Sequence, residues 1–124
     1  MKDNNPKTYV IHLNIRKDAF EAAAKGGTFR ESRTNCERNV RLLLGRPLKT
    51  APADGGNPVR PLTSFELGYN LHDSAEVCRQ LAAGQLVPRS NKVVLHRGYS
   101  LNTIEADVTS IEADKNTITL TYKI

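Results

Sequence analysis

The chain has 124 residues, of which 39% are hydrophobic and 25% are charged. This length and composition fit one domain that buries its core without a metal or a disulfide. No apolar run approaches the roughly 20 residues of a membrane span, and the polar start MKDNNPKT is followed by no apolar signal segment. We therefore expect a cytoplasmic protein with no membrane association. Neither cysteine has metal-ligand spacing, so we expect free thiols, no metal and no cofactor.

The formal charge of +5 is unevenly distributed along the chain. Between Arg16 and Arg60 there are ten Lys or Arg residues against five acidic residues, whereas from Pro61 onward there are six against seven. A one-sided basic surface favours a polyanionic partner. The alternative is a basic face that meets only solvent.

Residues 8–15, TYVIHLNI, are β-branched and aromatic, which predicts a first strand. Tyr9, Ile11, Leu13 and Ile15 would share one face, while His12 would point the other way as an ordinary polar residue. Residues 18–25, DAFEAAAK, are strong helix formers and predict a helix that Gly26 ends.

Residues 28–33 predict a short strand after this helix. Thr34 or Asn35 can cap a second helix that runs to about Leu44, where Gly45 and Pro47 stop it. On this helix Arg38 and Arg41 are three residues apart and would lie on one exposed side.

The middle of the chain begins with a predicted loop over residues 46–61, which is either a flap over a site or an inert insertion. Residues 62–70, LTSFELGYN, predict a short strand. Asp73 or Ser74 can cap a further helix that runs to about Ala83. Cys78 would lie on the apolar face of that helix, so we interpret it as a core residue.

Three strand-like segments close the chain: KVVLHR, TIEADVTSI and TITLTYKI. EADKN between the last two predicts a turn, to which Asp114 and Asn116 are suited. In TIEADVTSI, Ile104, Ala106, Val108 and Ser110 would face one way. These elements predict an α+β fold, with a small mixed, curved β-sheet or barrel and two to three packed helices.

The segments LNIRKDAFEAAAKGG, FRESR and KVVLHRGYSLNTIEADVTSI, in this order, resemble the ASCH domain of the PUA-like superfamily. That family occurs in bacteria, archaea, phages and transcription coactivators. The resemblance covers the two ends of the chain and leaves residues 46–90 as an unmatched insertion within a single domain, 1–124. The matching features are Lys17, Phe20, Gly26, Glu31, Arg33, Arg97, Gly98 and Tyr99.

The resemblance implies a barrel with a cleft beside the first helix, lined by the Glu-x-Arg segment. The superfamily is associated with RNA binding; some ASCH members resemble ribonucleases, and some hydrolyse an acyl group from a modified cytidine. The amidohydrolase-type members carry an essential Lys-Thr pair after the helix glycine. Here Thr28 and Phe29 stand at that place. The missing lysine disfavours the amidohydrolase activity.

The segment FRESR is the central candidate site. In an extended segment Glu31 and Arg33 share one face, and Arg30 and Ser32 share the other. The pair is either a structural ion pair at a barrel rim or a site in which Arg33 holds a phosphate or a base edge. Glu31 would then orient Arg33 or act as a base. A neighbouring arginine lowers the pKa of a carboxyl, so we favour binding over catalysis.

Lys17, Arg97 and Tyr99 are further candidate residues. The resemblance directs Lys17, rather than Arg16, into the cleft, but Lys17 can equally be a solvated residue at the helix start. Arg97 can hold a phosphate. Tyr99 can either stack a base or anchor its turn in the core.

The leading hypothesis is a nucleic-acid-binding module, most suited to RNA, with a basic cleft. The second is a metal-independent ribonuclease or modified-nucleoside hydrolase in which Glu31 and Lys17 are catalytic. The third is a phage-type interaction or inhibitor module with a protein partner, which the unmatched segment 46–90 suggests. The candidate binding residues are Arg16, Lys17, Thr28, Arg30, Arg33, Arg97 and Tyr99.

Overall fold

The computed structural model describes residues 10–50, 58–98 and 101–124. It confirms the predicted α+β class: a mixed five-stranded sheet curls into a half-barrel, and four helices accompany it. In chain order the elements are β1 (Ile11–Ile15), α1 (Lys17–Ala24), β2 (Thr28–Thr34), α2 (Glu37–Leu43), β3 (Leu44–Pro47), β4 (Val59–Pro61), α3 (Ser64–Glu66) continuing as a π-turn (Leu67–Leu71), α4 (Ser74–Ala82), β5 (Val87–Pro88), β6 (Lys92–Arg97), β7 (Thr103–Ala113) and β8 (Thr117–Lys123).

The main sheet has the strand order β1-β6-β7-β8-β2, in which β1 is parallel to β6 and the other neighbours are antiparallel. Its two edge strands, β1 and β2, are joined by a side chain. Nη2 of Arg33 on β2 donates to the backbone carbonyl of Asn14 on β1, 2.9 Å away. The open seam of the half-barrel therefore lies between β1 and β2.

Alternating side chains of the main sheet build the core. Ile11, Leu13 and Ile15 of β1 are buried, and the residues between them are exposed, as the alternation predicts. Tyr9 lies outside the described residues. The segment 46–90 adds to the same buried cluster the side chains of Leu62, Leu67, Leu71, Val77 and Leu86. Within the described residues no helix is long and apolar enough to span a membrane.

The strand predicted over residues 62–70 is wrong, because this segment is helical. A capping box starts it. The Thr63 hydroxyl accepts from the backbone N–H of Glu66 at 3.1 Å, and the Glu66 carboxylate accepts from the backbone N–H of Thr63 at 3.0 Å. This local signal, with Leu67 and Leu71 buried four residues apart, is typical of a helix and not of a strand.

The predicted loop 46–61 is not wholly irregular. Its ends belong to β3 and β4, which form a second sheet of order β4-β3-β5. Residues 51–57 of this predicted loop, for which a flap and an inert insertion were the alternatives, lie outside the described residues. Gly45 permits the β3–β4 pairing, since a Cβ there would lie 2.6 Å from the Arg60 carbonyl oxygen.

Two local details also differ from the prediction. Neither Thr34 nor Asn35 caps α2; Cys36 holds the N-cap position without a side-chain cap, while the Asn35 amide donates to the Asp114 carbonyl at 2.8 Å. A β-bulge between Val108 and Ser110 changes the alternation of β7, so Ser110 is exposed.

Three predicted features near the helix and strand ends are confirmed. Gly26 has φ +84 after α1. Asp73 caps α4, because its carboxylate accepts from the backbone N–H of Ala75 at 3.0 Å. Asp114 organises the β7–β8 turn, since its carboxylate accepts from the N–H groups of Asn116 and Thr117 at 2.8 Å each.

Candidate nucleic-acid interface

A cleft of about 880 Å³ opens at the seam of the half-barrel, beside α2. We call it the seam cleft. No carboxylate side chain is among the described residues that line it, whereas four lining residues are arginines. Its lining comprises His12, Asn14, Ser32, Arg33, Thr34, Cys36, Arg38, Asn39, Arg41, Leu42 and Arg89.

Different elements supply the arginines. Arg38 and Arg41 come from the exposed side of α2, as their spacing predicts. Arg89 follows β5, where its backbone N–H donates to the Leu43 carbonyl at 2.8 Å and its Nη1 to the Arg41 carbonyl at 3.2 Å. The end of α2 and the chain after β5 are thus joined where the cleft forms. Concentrated positive charge of this kind attracts anions.

Arg33 is held in place at the seam. Its Nε donates to Oε2 of Glu31 at 2.9 Å, and both side chains are about three-quarters buried. Together with the Asn14 contact across the seam, this ion pair fixes the plane of the guanidinium. Burial, and secondarily the nearby Glu31 carboxylate, raise the pKa of Tyr122. The contact that the structure gives Glu31 is the one with Arg33, so Glu31 holds the guanidinium at the seam.

The two faces of β2 separate as predicted. Phe29, Glu31 and Arg33 are half-buried, while the alternating residues between them are exposed. Arg30, on the outer face, donates to Oε1 of Glu112 at 2.8 Å. Ser32 contacts the Thr119 hydroxyl at 2.9 Å. Arg30 therefore belongs to a surface ion pair with β7 and not to the lining of the seam cleft.

The other predicted binding residues do not line the seam cleft either. Arg16 and Lys17 lie in a shallow depression along α1 together with Asp18. Thr28 is exposed at the start of β2, opposite Lys123, and Arg97 ends β6 opposite Ile15. Tyr99 lies outside the described residues. Of the predicted binding residues that the structure describes, only Arg33 lines the seam cleft.

A histidine pair lies at the edge of the seam cleft. His12 of β1 and His96 of the adjacent β6 point to the same side, with 2.8 Å between Nδ1 of His12 and Nε2 of His96. Their ring centroids are 5.1 Å apart. One of these two nitrogens must carry a hydrogen and donate, and the other must carry none and accept. His12 also lines the cleft.

Sequence reasoning assigned no role to either histidine and missed Arg89 as a site residue. The alternation of β1 placed His12 on the face opposite Ile11 and Leu13, but the parallel pairing of β1 with β6, in which Ile11 pairs with Val93, has no local signal. Among the described residues, no group of three or more His, Cys, Asp or Glu is arranged to hold a metal ion.

No protein-family model, curated protein or solved structure matches the chain.

Proposed function

We propose that this protein binds RNA, or another polyanion, in the seam cleft. The observation that carries the proposal is the lining itself: four arginines and, among the described residues, no carboxylate side chain in a cleft of about 880 Å³. A guanidinium can donate two parallel hydrogen bonds to a phosphate, which makes arginine well suited to this ligand. Nucleic-acid affinity comes largely from such contacts to the phosphate backbone.

The arginines differ in how firmly they are placed. Arg33 is fixed by Glu31 and by the Asn14 carbonyl, so it offers a preorganised donor at the seam. Arg38 is exposed, and its side chain makes no hydrogen bond or ion pair with the residues that the structure describes. It can therefore reach a phosphate without breaking an internal contact. Glu31 is given the role of positioning Arg33.

The resemblance of the chain ends to the ASCH domain supports RNA as the polyanion, because the PUA-like superfamily is associated with RNA. Arg33 and Glu31 are the residues of the resembling segment that meet the seam cleft or lie directly behind it. An RNA ligand would place the protein in the cytoplasm, in keeping with the free thiols of Cys36 and Cys78.

A second candidate function is metal-independent RNA cleavage, which the histidine pair favours. His12 would take the proton from a ribose 2′-OH, and the 2′-oxygen would form a bond to the adjacent phosphorus. The bond from phosphorus to the 5′-oxygen would break, and that oxygen would receive the proton from the imidazolium. His96 would position His12 through the 2.8 Å contact. Glu31 is less suited to this role, because its carboxylate already accepts a hydrogen bond from Nε of Arg33 at 2.9 Å.

One experiment tests both functions. An end-labelled, structured RNA is incubated with the protein in EDTA and loaded on native and denaturing gels. Binding predicts a shifted band, and its absence at low salt would contradict the main proposal. Cleavage predicts shortened fragments that end in a cyclic phosphate.

Histidine variants decide whether any cleavage belongs to the cleft. His12→Ala should abolish fragment formation and keep the shifted band. His72→Ala is the matched control, since His72 follows the π-turn and does not line the seam cleft. Fragments that persist in His12→Ala would exclude His12 as the base.

A further inference from the structure

Two aromatic side chains, Phe65 and Tyr69, are exposed on the helical segment formed by α3 and the π-turn. They are 77% and 72% exposed. Their rings are parallel within 6° and their centroids are 5.8 Å apart. We call them the aromatic pair. Because both rings are mostly exposed, they contribute little to the stability of the fold, and stability does not explain their presence at the surface.

The segment that carries the aromatic pair is firmly anchored. Glu66, which lies between the two aromatic residues, accepts from Nε of Arg46 at 2.7 Å and from Nη1 of Arg60 at 2.8 Å. It also completes the capping box with Thr63. Glu66 thereby ties α3 to β3 and β4. A rigid support lowers the entropy that a ligand contact must overcome, so the rings form a preorganised surface.

The aromatic pair adjoins the seam cleft through Arg41. Nη2 of Arg41, which lines the cleft, donates to the hydroxyl of Ser64 at 2.9 Å. Ser64 directly precedes Phe65, and consecutive Cα atoms are about 3.8 Å apart. The Arg41 guanidinium, which can bind a phosphate, therefore lies next to the residue that precedes Phe65.

The opposite flank of the aromatic pair has the other sign of charge. Beside Tyr69, a shallow depression is lined by Asn70, His72, Asp73 and Glu76. Glu76 is paired with Arg79 at 2.6 Å, so phosphates are repelled on this side by Asp73 and are attracted to the arginines beyond Ser64. A nucleic-acid strand that stacks on the rings is therefore directed toward the seam cleft.

We propose that the aromatic pair stacks an unpaired base of single-stranded nucleic acid whose phosphates lie in the seam cleft. This inference rests on the proposed function and adds to it that the ligand is single-stranded. Bases within a duplex are stacked on one another and cannot lie on a protein ring, whereas unpaired bases stack on exposed aromatic side chains.

The test is fluorescence anisotropy with a labelled single-stranded RNA and with a duplex of the same sequence, at one fixed low salt concentration. The variant is Phe65→Ala/Tyr69→Ala, and Leu101→Ala is the matched control because Leu101 is 98% exposed. Loss of one stacked base weakens binding by about 5- to 150-fold. We expect a loss in that range for the single strand and none for the duplex. The control should bind like wild type, and Phe65→Trp should retain single-strand affinity.

The outcomes separate this inference from the proposed function. Unchanged single-strand affinity in the double variant would overturn the stacking role and leave the seam cleft as the binding site. Equal losses for single strand and duplex would overturn the preference for unpaired bases. Failure of wild type to bind any RNA would overturn both proposals. Wild-type self-association that the double variant abolishes, with RNA affinity unchanged, would assign the rings to a protein contact and overturn stacking.

Discussion

Removing one arginine from the seam cleft should change the salt dependence of RNA binding by a calculable amount. For a single strand, the logarithm of the binding constant falls with the logarithm of salt concentration at a slope of about −0.7 per phosphate contact. If each of the four cleft arginines meets one phosphate, the slope is about −2.8. Between 50 and 200 mM salt the affinity should then fall about 50-fold.

Arg38→Gln is the most direct perturbation, because the Arg38 side chain is exposed and makes no hydrogen bond or ion pair with the described part of the chain. Three contacts remain in this variant, so the slope should become about −2.1 and the fall over the same salt range about 20-fold. The stability of an exposed helix position should change by no more than about 0.5 kcal/mol.

The assay is anisotropy of a labelled single-stranded RNA titrated with protein at four or more salt concentrations. Arg16→Gln is the matched control, since it removes the same charge from a side chain that is 90% exposed and lies outside the seam cleft. Its slope should equal that of wild type. Equal slopes for Arg38→Gln and wild type, or an equal reduction in both variants, would refute the assignment of the phosphates to the cleft.

The remaining predictions concern the support of the site. Glu66→Gln should lower the free energy of unfolding by about 1–3 kcal/mol in urea titrations at pH 7, because two arginines lose a charged acceptor. Hydrogen bonds, first from Arg60, hold the pKa of Glu66 far below its usual 4.5, so its contribution is present above pH 4.5 and fades as the pH falls. A difference between variant and wild type that stays constant down to pH 2 would contradict this linkage. Gly45→Ala should lower the free energy of unfolding by about 1–3 kcal/mol, since its Cβ would lie 2.5 Å from Val59 Cγ1. Gly68→Ala is the control and should not destabilise the protein, because no atom lies within 4 Å of the added Cβ. Comparable losses of stability in both variants would exclude the steric explanation.

The fold class and most elements at the two ends could be predicted because their signals are local. Alternation identified β1, and the glycine after α1 marked its end. The middle was harder to predict. The helical turn at Ser64 depends on reciprocal hydrogen bonds between Thr63 and Glu66, and the sequence interpretation did not recognise this capping box.

The candidate site was predicted only in part, for a physical reason. The face of β2 that Arg33 occupies could be predicted, because the alternation of the neighbouring residues defines it. The spacing of Arg38 and Arg41 predicted that both are exposed on one side of α2. Their position beside the seam could not be predicted, because it depends on how α2 packs. Arg89 and the pairing of β1 with β6 depend on contacts between distant parts of the chain, which no short window of sequence contains.

The most direct test of the account is a two-dimensional ¹H–¹⁵N NMR titration of the labelled protein with a short single-stranded RNA. The account predicts that the largest shift changes occur at residues 32–39 and at Arg41 and Arg89, which line or border the seam cleft. Amides of α1 (Lys17–Ala24) should shift little. Shift changes concentrated on α1, or no change in the cleft at saturating RNA, would contradict the central claim.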